Sequence, residues 1–369
     1  MQSCNIDVFA IDTKCSDVEY KSIAGPSVSI QKPPAFLFGT LPGALSRTLF
    51  GQYHVGPVGV YRVVGGCVSA HGTAYYQGTG LASPFWNVSD KMIEQAVTES
   101  RIDNWTTPTR FIEGDVVSLT GPGRTVWGHW LVDFLPRLYV LHLARYDIHS
   151  LRYLLPDQAP KFASQLLELV GIPASSLVRY DEMTELVSCS NLILPGYLRW
   201  GNRFAPSFKA AVAFLMQMIA RNHPIPASPV EAERVFVSRN LAMEQRKLEN
   251  RGEIEELAVS RGFTVIDPAA YSIVEQIAIF KSARQIIGEY GSGLHNGMFS
   301  GEDVSVCAIR GSSHHPAFIQ SGIADALQQD IGYVFGETPL DAREQAYTIS
   351  LEDMKCALGC MDIQMRTRR

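Results

Sequence analysis

The sequence predicts an α/β protein, with two alternating helix–strand halves behind a strand-rich N-terminal region. Three observations predict it. Residues 1–120 are rich in Gly, Pro, Val and aromatics, in short runs between turns. From His129 onward, helical runs alternate with short apolar strands. After a proline-rich break at residues 222–229, the alternation begins again.

In chain order, Val58-Gly59-Val60-Tyr61-Arg62-Val63-Val64 and Val116-Val117-Ser118-Leu119 suit strands of the first region. The first half follows with strands at Tyr153–Leu155, Ser176–Val178 and Leu192–Leu194, and helices at Lys161–Val170 and Pro206–Arg221. Asn222 to Pro229 holds three prolines, at 224, 226 and 229, and serves as a linker. The second half continues with strands Val235–Val237, Phe263–Ile266, Gln285–Ile287 and Val304–Ile309, and helices Gly252–Ser260, Ser272–Ser282 and Leu294–Phe299. The expected division is 1–120, 121–225, 226–345 and a tail, 346–369, folded back on the N-terminal half. A cleft between two such halves is where α/β proteins place ligands.

At 369 residues the chain has room for two or three cores. Its 46% hydrophobic and 19% charged residues are those of a globular protein, and a net charge of −5 offers nothing to a nucleic acid, so an anionic ligand needs a local basic site. The N-terminus has no signal-peptide core and no run reaches the roughly 18 apolar residues of a membrane span. A cytoplasmic protein is expected, with peripheral attachment to the inner face of a membrane compatible with that. Seven scattered cysteines predict reduced packing residues, with no disulfide framework or metal site.

The turn Gly288-Glu289-Tyr290-Gly291-Ser292-Gly293-Leu294-His295-Asn296 follows an apolar strand and opens a helix. Glycines let a phosphate approach the backbone, and a helix start favours negative charge, although plain turn chemistry gives the same pattern. In Gly128-His129-Trp130-Leu131-Val132-Asp133-Phe134-Leu135-Pro136-Arg137, His129 and Asp133 stand four apart, on one face of a helix. Either can act as a general base, or Asp133 pairs with Arg137 and His129 merely packs. Arg239 ends a strand and Arg246 and Lys247 follow it, suited to a diphosphate or to a solvated surface with Glu249 and Glu253. Ser272 and Glu275 have capping-box spacing; the carboxylate also suits a ribose.

Together, GHWLVDFLPR (128–137), VSRN (237–240), RKLENRGEI (246–254), GFTVIDPAAYSIVEQIAIFKSA (262–283) and IIGEYGSGLHNGMF (286–299) resemble the family 61 glycosyltransferases, which include bacterial capsular polysaccharide biosynthesis proteins. The resemblance implies a GT-B architecture of two facing Rossmann-like domains and an inverting, metal-independent transferase without a cofactor. It implies a UDP-sugar donor and a saccharide or lipid-linked saccharide acceptor, in capsule, exopolysaccharide or lipopolysaccharide synthesis. It makes Arg239, Arg246, Gly291, Ser292 and Gly293 diphosphate binders and places Asn250, Glu253, Glu275, Gln276 and Asn296 on motif positions, with His129 or Asp133 as the base. Two residues depart from the pattern: Tyr290 stands where the family commonly has histidine, and Arg251 where it has an acid. Glu289, before the turn, is a further base candidate. A dinucleotide-dependent oxidoreductase needs an early GxGxxG turn with an acid about twenty residues on, which the late glycine turn fails. A catalytically inactive carbohydrate- or nucleotide-binding protein on the same fold is the alternative.

Overall fold

The computed structural model describes residues 3–5, 17–30, 32–41, 43–82, 88–231, 233–239, 247–311, 318–337 and 346–367. They form a mixed α/β structure of several sheets and helices that divides into two compact units. The first comprises 1–27, 54–200 and 213–223; the second comprises 28–53, 201–212 and 224–369.

The first unit carries a ten-stranded sheet. Its parallel part runs in the order Val187–Pro195, Arg110–Ser118, Arg152–Pro156, Leu177–Tyr180. Val58–Val64 and Cys67–Val68 pair antiparallel with Val187–Pro195. Val58–Val64 and Cys67–Val68 thus join the N-terminal region to the sheet of the first α/β half, while Phe36–Phe38 belongs to the sheet of the second unit. Val60, Val63, Val116, Val117, Leu192 and Ile193 are buried, so the β-branched runs that announce strands in the sequence also make the core.

The second unit holds six parallel strands in the order Thr264–Ile266, Arg234–Val237, Gln285–Glu289, Ser305–Gly311, Asp330–Gly336, Phe36–Phe38. Near-continuous apolar runs such as Val235-Phe236-Val237 and Val306-Cys307-Ala308-Ile309 suit strands buried on both faces. The tail's helix Leu351–Thr367 packs inside the second unit, where Met354, Ala357, Leu358 and Met361 join Phe236, Ile287, Val334 and Phe36. The physical reason is that these four apolar residues lie at 3–4 residue spacing and give the helix one face, which covers the second sheet.

Both parallel arrays reverse direction once. In the first, the chain builds outward from Arg110–Ser118 and then returns to its other side with Val187–Pro195. In the second, it goes from Arg234–Val237 to Thr264–Ile266, then crosses back to Gln285–Glu289 and continues away. At such a switch point the two neighbouring connections leave in opposite directions, and the carboxyl ends of the two strands border a crevice.

Candidate active site

At the switch point of the first unit, the chain leaving Arg110–Ser118 makes a glycine turn and a short helix, Trp127–His129, that widens into one π-type turn, Trp130–Phe134. The Leu135 amide accordingly donates to the Trp130 carbonyl, five residues back, at 3.0 Å. His129 and Asp133 share a face as the spacing predicts, with His129 Nδ1 2.6 Å from Asp133 Oδ2. Asp133 does not pair with Arg137. Arg199, just beyond the end of Val187–Pro195, donates Nε to Asp133 Oδ1 at 2.6 Å and Nη2 to Oδ2 at 2.8 Å. Arg137 instead spends its donors on the carbonyls of Pro195 and Leu119.

The Asp133 side chain is 1% exposed and that of His129 32%. Burial alone would raise the Asp133 carboxyl, but the charge of Arg199 and the hydrogen bonds from His129 and Arg199 outweigh it and hold the pKa down at about 2. An ionised carboxylate only accepts, so His129 donates its Nδ1–H, and in the neutral ring the lone pair is on Nε2. Asp133 thus orients the imidazole, and His129 is the member of the pair with solvent access. Sequence spacing alone cannot rank the two.

At the switch point of the second unit, Arg239 follows Arg234–Val237 and the glycine turn follows Gln285–Glu289. They meet: a Cβ on Gly291 would lie 3.5 Å from Arg239 Nη1. Gly288 is glycine for a steric reason, since a Cβ there would stand 2.8 Å from the carbonyl oxygen of Val237 in the neighbouring strand. Ser292 and Gly293 begin a 3₁₀ segment, Ser292–Phe299, so backbone N–H groups and a guanidinium border the same turn.

Residues 127–307 match the family model of Glycosyltransferase 61. No curated protein matches the chain. The glycosyltransferase 61 segment starts two residues before His129 and runs through the glycine turn, so it contains His129, Asp133, Arg199, Arg239 and Gly291–Gly293.

Asn250, Glu275, Gln276 and Asn296, also singled out in the glycosyltransferase 61 segment, have internal partners. Asn250 donates Nδ2 to the Ile349 carbonyl at 2.8 Å and accepts the Ile349 N–H on Oδ1 at 3.1 Å, fastening the entry to helix Arg251–Ser260. Asn296 is fully buried and donates to Gln276 Oε1 at 3.1 Å. Arg246 lies outside the described residues. Glu275 closes a capping box: Oε2 accepts the Ser272 N–H at 2.8 Å and its hydroxyl at 2.6 Å, and the Ser272 side chain and backbone hold the carboxyl below its ordinary pKa. Replacing Ser272 by alanine should therefore cost about 1 kcal/mol in urea unfolding. If capping is the whole role of Glu275, Glu275→Gln should leave nucleotide affinity unchanged, whereas a ribose contact would show as weakened titration.

Both departures from the family pattern find partners. Arg251 donates Nε to Glu289 Oε1 at 2.8 Å, and the Glu289 side chain is 1% exposed. Burial raises the Glu289 carboxyl, opposed by the Arg251 hydrogen bond and by the charges of Arg251 and Arg239. Glu289 is thereby committed to Arg251 and not exposed for a substrate hydroxyl. Tyr290 is 7% exposed; its hydroxyl accepts the Ile319 N–H at 3.0 Å and the guanidinium carbon of Arg310 lies 4.9 Å from its ring centroid. Tyr290 so ties the glycine turn to the start of helix Ile319–Leu327.

Arg199 and Arg310 escape sequence reasoning because each lies twenty or more residues from its partner. For Arg199 one signal exists: a charged residue four positions beyond a buried apolar strand, at the end where ligands bind.

Proposed function

We propose that this chain is an inverting, metal-independent GT-B-type glycosyltransferase. It moves a sugar from a UDP-sugar to a saccharide or lipid-linked saccharide acceptor in capsule, exopolysaccharide or lipopolysaccharide synthesis. It works in the cytoplasm or peripherally at the inner face of the membrane. One observation carries the reading: each unit places its polar cluster at the carboxyl ends of its switch-point strands, and both clusters fall inside the glycosyltransferase 61 segment.

In the proposed step, the acceptor oxygen attacks the anomeric carbon in line with the departing diphosphate. The new C–O bond forms as the bond to the β-phosphate oxygen breaks. That oxygen leaves with the bonding electron pair, and the acceptor proton goes to Nε2 of His129. Asp133 stabilises the resulting imidazolium and keeps the ring in its Nδ1–H tautomer. Arg239 and the N–H groups of Gly291, Ser292 and Gly293 offset the charge accumulating on UDP, with Arg246 as a further cation.

Calorimetric titration with UDP in EDTA tests the donor half. Binding should persist in EDTA, and Arg239→Ala should weaken it by about 1.5–3 kcal/mol, as for a hydrogen bond to a charged group. Absence of binding with EDTA and with added manganese would reject the nucleotide-sugar reading. UDP binding with no turnover of any UDP-sugar would favour the inactive binding protein.

A further inference from the structure

The His129 ring rests on the turn that precedes it. Gly123 has φ +84°, and a Cβ there would sit 2.6 Å from Cδ2 of His129, so the turn backbone is the floor of the imidazole. Within this turn the Arg124 N–H donates to the Gly121 carbonyl at 3.1 Å, Val126 to Gly123 at 2.9 Å and His129 to Val126 at 3.1 Å. The Arg124 carbonyl accepts Nε1–H of Trp130 at 2.7 Å, and Trp130 is fully buried directly after His129.

The Arg124 side chain is itself locked. Nη2 pairs with Oε1 of Glu182, a carboxylate whose side chain is 4% exposed, and Nη1 lies 2.9 Å from Nδ1 of His71. Guanidinium only donates, so His71 accepts on Nδ1 and carries its proton on Nε2, which stands 2.7 Å from Oε2 of Glu99. Glu182 Oε2 also accepts the backbone N–H of His71 at 3.2 Å. His71 adopts φ 58° and ψ 17°, the left-handed region that costs a non-glycine residue energy. Among the described residues no hydrogen bond or ion pair joins these four side chains to the His129–Asp133 pair, yet the backbone they fix bears on both His129 and Trp130.

We infer that Arg124 is a positioning residue for His129, acting through Gly123 and Trp130, with Glu182 and His71 setting its own orientation. The catalytic part of this inference rests on the proposed role of His129 as base; the positioning part does not. Asparagine at 71 tolerates the left-handed backbone and still offers Arg124 an acceptor, whereas glycine tolerates the backbone and offers none.

The test compares Arg124→Ala, Arg124→Lys, His71→Asn and His71→Gly by steady-state kinetics and by ¹⁵N-histidine NMR of His129. Arg124→Ala and His71→Gly should lower kcat about 10- to 100-fold with little change in KM, as misplacement of a catalytic group does. In both, the Nδ1–H tautomer signal of His129 should weaken. His71→Asn should stay near wild type and Arg124→Lys should fall between. Unchanged kcat and unchanged His129 resonances in Arg124→Ala and His71→Gly, whatever their melting temperatures, would overturn the inference. If Arg124→Ala does not fold, the two His71 variants decide alone. A wild type that transfers no sugar would remove the catalytic reading, while the NMR comparison still decides the positioning.

Discussion

Replacing Asp133 by asparagine should lower kcat by about 10²- to 10⁴-fold, the range spanned by loss of general-base catalysis and of its orienting carboxylate. The carboxylate receives three hydrogen bonds, two from Arg199 and one from His129. An amide has one oxygen, so at least one of these donors must face an NH₂ group: with the oxygen at the Oδ1 position His129 does, with it at the Oδ2 position Arg199 Nε does, and in either case the negative charge that stabilises the imidazolium is gone. Stability should fall as well, because the Arg199 side chain is only 9% exposed and loses the Asp133 carboxylate it is paired with; breaking such a buried pair costs about 3–5 kcal/mol. The sign of the pH dependence follows from the depressed pKa. A carboxyl held at about 2 contributes stability above its unfolded pKa and loses it as pH falls through its folded pKa, so the wild-type advantage should shrink between roughly pH 4 and pH 2. Urea unfolding of both proteins across that window, with kinetics at neutral pH, checks both halves. A variant retaining kcat within about threefold would remove Asp133 from the proposed step.

The second large effect is expected at the glycine turn. Arg251→Met leaves the buried Glu289 without its hydrogen-bonded partner and should cost about 3–5 kcal/mol at neutral pH. Here the sign is opposite. A carboxyl whose folded pKa is raised costs stability above its unfolded pKa, so the deficit of Arg251→Met should ease as pH falls toward the ordinary glutamate range. Adding Glu289→Gln to Arg251→Met removes the orphaned charge and should recover much of the loss, which a double-mutant cycle in urea measures. UDP affinity separates two roles for Arg251. Held by Glu289, it should leave affinity nearly intact when replaced; a fall as large as that of Arg239→Ala would make it a phosphate ligand instead.

Much of this was legible in the sequence where the signal is local. Val58–Val64 declares itself by its β-branched run, the apolar Leu192–Leu194 marks the last part of Val187–Pro195, and the capping box at Ser272 and Glu275 lies where its spacing puts it. The His129–Asp133 contact is likewise a property of one helical turn. What the sequence leaves out is set by topology. Arg199 reaches Asp133 only because Val187–Pro195 lies beside Arg110–Ser118, a pairing that no spacing encodes. Asn250 has the composition of a polar site residue, yet the backbone of Ile349, 99 residues away, consumes its amide. Helix Ile319–Leu327 and strand Asp330–Gly336 follow the last element expected there, and the apolar run of the strand is broken by Gly332, which a sequence window scores against a strand.

Phe36–Phe38 forms the outer strand of the second unit, with Phe36 opposite Gly332 and its ring 2.2 Å from where a Cβ of that glycine would be. During synthesis this strand leaves the ribosome long before Asp330–Gly336 exists, and nearly the whole chain must be made before the pair can close. Until then Phe36, Leu37 and Phe38 lack their native neighbours, and the edge of Asp330–Gly336 stays open to other chains once it forms. Refolding should carry a slow phase for that long-range closure. A fragment beginning at residue 54 or later would carry the catalytic candidates of both units but an uncapped sheet, and should aggregate where the full chain does not.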